Sequence, residues 1–90
     1  MLKWHMIQNY NKDILAEVNI ENGVKLPEIN RKLLFERQDG KLFLGEFQEK
    51  KDGIFGFVTF TGGTAHIIDD IGLSGNNING VLWTYFDIAE

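Results

Sequence analysis

The chain has 90 residues, with nine Lys and Arg against thirteen Asp and Glu and a formal net charge of −4. A chain of this size buries only about 60 to 70% of its unfolded surface and has none to spare for a second core, so residues 1–90 read as a single domain. Several classes are disfavoured at once: there is no Cys for a disulfide or thiolate zinc site, no basic-then-apolar leader and no membrane-length apolar run, and the basic residues form no phosphate-binding face, because the Lys50-Lys51 pair is flanked by Glu49 and Asp52. The expectation is a cytoplasmic protein that binds neither membrane nor nucleic acid.

Taken in chain order, the first ambiguous segment is "DILAEVNI", residues 13 to 20. It fits a strand with Ile14, Ala16, Val18 and Ile20 inward, and it also fits a helix, since Ile7, Tyr10, Ile14 and Val18 share one helical face. The strand is favoured because Asn22-Gly23 offers a turn that leads into Val24 and Leu26. Pro27 then ends the segment, having no amide to donate to a ladder and restricting the residue before it.

The segment "KLLFERQDGKLFLGEF", residues 32 to 47, is the clearest feature. Apolar residues alternate on both sides of Asp39-Gly40, a pair that tolerates positive φ, so the spacing predicts a β-hairpin with a type I′ turn. A second polar turn, "QEKKDG" (48 to 53), leads to a strand, "IFGFVTF" (54 to 60). Its alternation sets Ile54, Gly56, Val58 and Phe60 against Phe55, Phe57 and Thr59, and both faces are apolar enough to be covered. Gly45 and Gly56 remove side chains where another backbone or a ring packs closely. The last strand is "VLWTYFDI" (81 to 88), with Val81, Trp83 and Tyr85 opposite Leu82, Thr84 and Phe86. The sum is a mainly β fold, with α+β as the alternative: a small antiparallel sheet of about five strands.

Between the last two strands, Thr61 to Gly80 carries five glycines and the run Asn76-Asn77-Ile78-Asn79-Gly80. A connection of roughly 20 residues is unusual in a compact domain and commonly functional, although a turn of helix at about Ala65 to Ile71 would shorten it. His66, Asp69 and Asp70 form H-x-x-D-D, which offers a metal one imidazole and one carboxylate. A catalytic metal normally takes three protein ligands, and the other histidine, His5, is distant in sequence. The spacing therefore points to no bound metal or other cofactor, and to aspartates that shape turns. "GLSGN" (72 to 76) has Asn76 where a nucleophile elbow requires Gly, and Gly62-Gly63-Thr64 lacks the spacer and Lys-Ser/Thr pair of a phosphate loop.

Trp4, Trp83, Tyr85 and the seven Phe provide ring faces on which a planar ligand could stack. In so small a domain they are more often core, since each ring buries up to ~250 Å². A thin sheet with two apolar faces also predicts a homo-oligomer that covers the second face.

Trp4, Leu26-Pro27-Glu28, the 33 to 47 hairpin, "GIFGF" (53 to 57) and "WTYF" (83 to 86) together resemble a family of short phage and prophage domains of unknown function. In that family an early Trp, an L-P-E turn, a D-G hairpin, an aromatic strand and a terminal W-x-aromatic segment follow in this order. The resemblance covers roughly residues 26 to 88 and implies a mobile-element accessory protein, with no catalytic residues to carry over. The function expected from the whole is non-enzymatic: binding of a host protein or sequestration of a small-molecule ligand, with His66, Asp69, Asp70, Asn77, Trp83 and Tyr85 as candidate binding residues. The alternatives are a small metal-dependent hydrolase using His66, Asp69 and Asp70, and a structural subunit of an assembly.

Overall fold

The structure is a computed structural model, and it describes residues 2–61, 66–68 and 73–86. Six strands form one antiparallel sheet: β1 (His5–Met6), β2 (Lys32–Glu36), β3 (Leu42–Lys51), β4 (Ile54–Thr61), β5 (His66–Ile68) and β6 (Leu82–Tyr85), in the spatial order β1-β6-β2-β3-β4-β5. Because β1 is a two-residue edge pairing, this is the mainly β sheet of about five strands that the sequence leads one to expect. A six-residue helix, α1 (Ala16–Glu21), and a 3-10 turn (Gly75–Ile78) complete the described elements. No helix among the described residues is long and apolar enough to cross a membrane.

Register explains the core. Leu33 pairs with Gly45 and Tyr85, Phe35 with Phe43 and Trp83, and Phe47 with Phe57, so the odd-numbered residues of four strands share one face. Their rings meet in pairs, Phe35–Phe57 at 4.9 Å between centroids, Phe47–Phe57 at 5.1 Å and Trp83–Tyr85 at 5.0 Å. Each such pair adds ~0.5–1.5 kcal/mol beyond the area it buries. Ile7, Tyr10 and Val24 from the N-terminal third, and Ile78 from the 3-10 turn, complete the same buried cluster. On the other face, Val58 and Thr84 are buried while Met6, Leu42 and Leu44 stay exposed.

The hairpin forms where the sequence places it, but its turn differs from expectation. Arg37 N–H donates to the Lys41 carbonyl and Gly40 N–H to the Arg37 carbonyl, both at 2.9 Å. Gly40 is left-handed, with φ of +85°, and Asp39 is not. A type I′ turn needs positive φ at both central residues, so this is a three-residue loop with glycine in the bulge position. Asp39 instead stabilises the turn through its carboxylate, which accepts a hydrogen bond from Lys41 N–H at 3.1 Å and lies 3.6 Å from Arg37.

Two further expectations are corrected. Residues 66 to 68, placed in a turn of helix by the sequence, pair as β5 with Thr59 and Phe60 of β4; the rest of the span Ala65 to Ile71 lies outside the described residues. The segment favoured as a strand at 13 to 20 holds α1, because Asn22-Gly23 acts as a helix stop and not as a hairpin turn. Gly23, with φ of +82°, lets its own N–H reach the Ile20 carbonyl at 2.9 Å and Val24 N–H reach the Asn19 carbonyl at 3.1 Å. Those two bonds satisfy carbonyls at the end of the helix and turn the chain back on itself.

Candidate functional site

The helix α1 is built inside out. Its one buried residue is Asn19, 4% exposed, whereas the flanking Leu15 is 72% and Ile20 71% exposed. Hydrogen bonding accounts for the inward asparagine. Its Oδ1 accepts from Asn11 N–H at 3.2 Å, and its Nδ2 donates to the carbonyls of Asn11 at 3.2 Å and Ile14 at 3.4 Å. A side-chain amide thus satisfies the backbone of the loop leading into the helix, which no aliphatic residue does. Replacing Asn19 with leucine is expected to lower stability by about 2 kcal/mol despite the apolar surroundings, since Asn11 N–H loses its acceptor and the Asn11 carbonyl keeps only the Ile14 N–H at 3.3 Å. A thermal midpoint at or above the wild-type value in that variant would overturn this account.

Ala16, Asn19 and Ile20 of α1 border a cleft of about 570 Å³. Tyr10, Ile14 and Leu15 line it from the N-terminal side, Val24 and Leu26 from the segment after the helix, and Phe55 from β4. This volume falls within the ~300–1,000 Å³ typical of small-molecule sites, and the mainly apolar lining with few polar groups matches them as well. Burial pushes the Tyr10 phenol above its ordinary pKa, so it remains a neutral hydroxyl at physiological pH. Two charged residues belong to the lining, Lys12 and Lys25, and both are cationic; no carboxylate does.

The two lysines sit on backbone that is held firmly. Lys12 N–H donates to Asn76 Oδ1 at 2.8 Å, and the Lys12 stem passes close to Gly75, where a Cβ would come within 3.1 Å of Lys12 Cδ. The Lys25 carbonyl accepts a hydrogen bond from the Trp83 indole N–H at 3.3 Å. Asn79 completes the support. Its Oδ1 accepts from Tyr10 N–H and its Nδ2 donates to the Tyr10 carbonyl, both at 2.9 Å, clamping the strip that forms one wall of the cleft.

The residues singled out from sequence are distributed differently. Trp83 and Tyr85 are buried core residues: Trp83 packs between His5 and Tyr85, and the Arg31 guanidinium lies 3.5 Å from the Tyr85 ring centroid. The Tyr85 hydroxyl accepts from Glu28 N–H at 2.9 Å and so anchors the Leu26-Pro27-Glu28 turn. The faces of both rings are covered by protein, which makes them packing residues of the core. Asn77 is exposed and helps to line a smaller polar cleft of about 420 Å³ beside Arg37, Gln38 and Asp39, away from α1. Asp69, Asp70 and the side chain of His66 lie outside the described residues. Among the described residues no three His, Cys, Asp or Glu side chains are grouped to hold a metal ion.

Tyr10, Lys12, Leu15, Ile20 and Lys25 line the cleft without being candidate site residues by sequence. The signal present was Asn19 in "ILAEVNI", a run whose other polar residue is Glu17, followed by Gly23 as a helix stop. No protein-family model, curated protein or solved structure matches the chain.

Proposed function

We propose that this is a non-enzymatic binding protein that sequesters a small apolar ligand in the cleft beside α1. The observation that carries the reading is the inverted helix: Asn19 is buried while Leu15 and Ile20 stand at the mouth of an apolar cleft, more than two-thirds exposed. Leaving two large aliphatic residues in water gains nothing for the isolated fold, and a ligand seated between them and Phe55 removes that surface from water at roughly 25 cal/mol per Å². The resemblance to short phage and prophage domains supports an accessory role of this kind, in which a small protein captures a molecule of its host.

The test uses N-phenylnaphthylamine, a neutral apolar dye whose emission rises on leaving water. Saturable binding with one dye per chain is expected. The double variant Leu15→Asn/Ile20→Asn should bind it at least about tenfold more weakly, because two apolar walls are removed. Its thermal midpoint should stay close to wild type, since substitutions at such exposed positions change stability by only about 0.5 kcal/mol. Dye binding that is absent, or indifferent to both substitutions, would dismiss the cleft as the ligand site.

A further inference from the structure

Resting on the reading of the cleft as a small-ligand site, we infer that its ligand is an anionic amphiphile: a free molecule with an aliphatic body and one carboxylate. Charge complementarity carries the argument. Lys12 and Lys25 are the charged residues of the lining, although the chain as a whole is acidic. Asp13, Glu17, Glu21, Glu28 and Asp52, the acids nearest in sequence to the lining residues, are exposed and take no part in it. Asp13 approaches Lys12 only at 3.9 Å and is itself 74% exposed, which leaves that ammonium available to a better-placed anion. No ion pair engages Lys25 among the described residues.

The geometry also orients the ligand. Val24, Leu26 and Phe55 provide apolar walls without charge, so an aliphatic tail belongs against them. Lys12 and Lys25 are exposed residues, and a lysine beside an apolar surface keeps its ammonium at the water-facing rim. A carboxylate at that rim keeps part of its hydration while it faces two cations, which avoids the penalty of burying an ion. Both lysines are held at the backbone, Lys12 by Asn76 and Lys25 by Trp83, so little loop ordering is required on binding. A polar neutral ligand would leave the apolar walls unmatched, and a cation would face two like charges.

The experiment is displacement of N-phenylnaphthylamine from the full chain by decanoate, decanol and decyltrimethylammonium. Decanoate should displace the dye at about fivefold lower concentration than decanol, the effect of a partly solvated charge pair. The cationic amphiphile should be weakest. Added salt should narrow the gap, and Lys25→Gln or Lys12→Gln should shrink it by weakening decanoate more than decanol. Equal displacement by decanoate and decanol would overturn the carboxylate assignment while the cleft itself stands as a ligand site. Failure of all three against a bound dye would overturn the amphiphile class. Displacement by a short acidic peptide and not by decanoate would assign the cleft to a protein partner. Sedimentation showing a dimer that Leu15→Asn/Ile20→Asn dissolves would put a second copy there instead, and either result rejects the proposal.

Discussion

Replacing Gly45 with valine is expected to cost more than about 3 kcal/mol, a large share of the ~5–15 kcal/mol that stabilises an ordinary domain. Gly45 lies in β3 between Leu33 of β2 and Thr59 of β4. A Cβ on Gly45 would stand 1.8 Å from the Val58 carbonyl oxygen, 2.9 Å from the Val58 carbonyl carbon and 3.1 Å from Cε1 of Phe35. Two of these atoms are backbone of the neighbouring strand, which cannot move aside without breaking its ladder to β3. The Thr59 hydroxyl tightens the same crossing by donating to the Leu44 carbonyl at 2.7 Å. Gly40 is the control, because its backbone is left-handed but nothing lies within 4 Å of its Cβ position. Gly40→Ala should therefore cost only the conformational penalty of about 1 kcal/mol. Urea unfolding of the two variants checks the contrast, and a Gly45→Val midpoint no lower than that of Gly40→Ala would refute the close approach.

Truncating Trp83 to alanine should destabilise by about 3–5 kcal/mol. The indole is fully buried, packs on His5 with centroids 4.6 Å apart and meets Tyr85 edge-on, so its removal opens a void among residues from two adjoining strands. Trp83→Phe separates packing from hydrogen bonding. It retains most of the apolar volume and loses the N–H that holds the Lys25 carbonyl, at a cost of about 1–2 kcal/mol. Because that bond fixes the backbone of Lys25, the same variant should weaken decanoate displacement of the dye more than decanol displacement. Equal loss for both ligands would show that Trp83 supports the cleft wall as a whole and does not position the lysine.

The polar run at 76 to 79 illustrates why a site is hard to locate from sequence. Glycine and asparagine next to a long connection look like an adaptable binding loop, yet Ile78 is fully buried and Asn76 and Asn79 spend their side chains on the backbone of Tyr10 and Lys12. These contacts join residues more than sixty positions apart. No local pattern encodes such a partner, because a side-chain amide that satisfies distant backbone has the same composition as one left in water.

What the sequence determined by itself is the mainly β class and the central strands of the sheet. Alternation through Leu33, Phe35, Phe47, Phe57, Trp83 and Tyr85 has a period that only a strand satisfies, and Asp39-Gly40 and Asp52-Gly53 mark the reversals from β2 to β3 and from β3 to β4. The tertiary structure alone decided three things: that Asn22-Gly23 closes a helix, that α1 points Asn19 inward and Ile20 outward, and that Lys12 and Lys25 line one cleft. A left-handed glycine serves a hairpin turn and a helix stop equally well, and a six-residue helix has too few turns to hold its shape by propensity. Its conformation and facing were settled by the packing of Val24 and by the hydrogen bonds of Asn19 to Asn11 and Ile14.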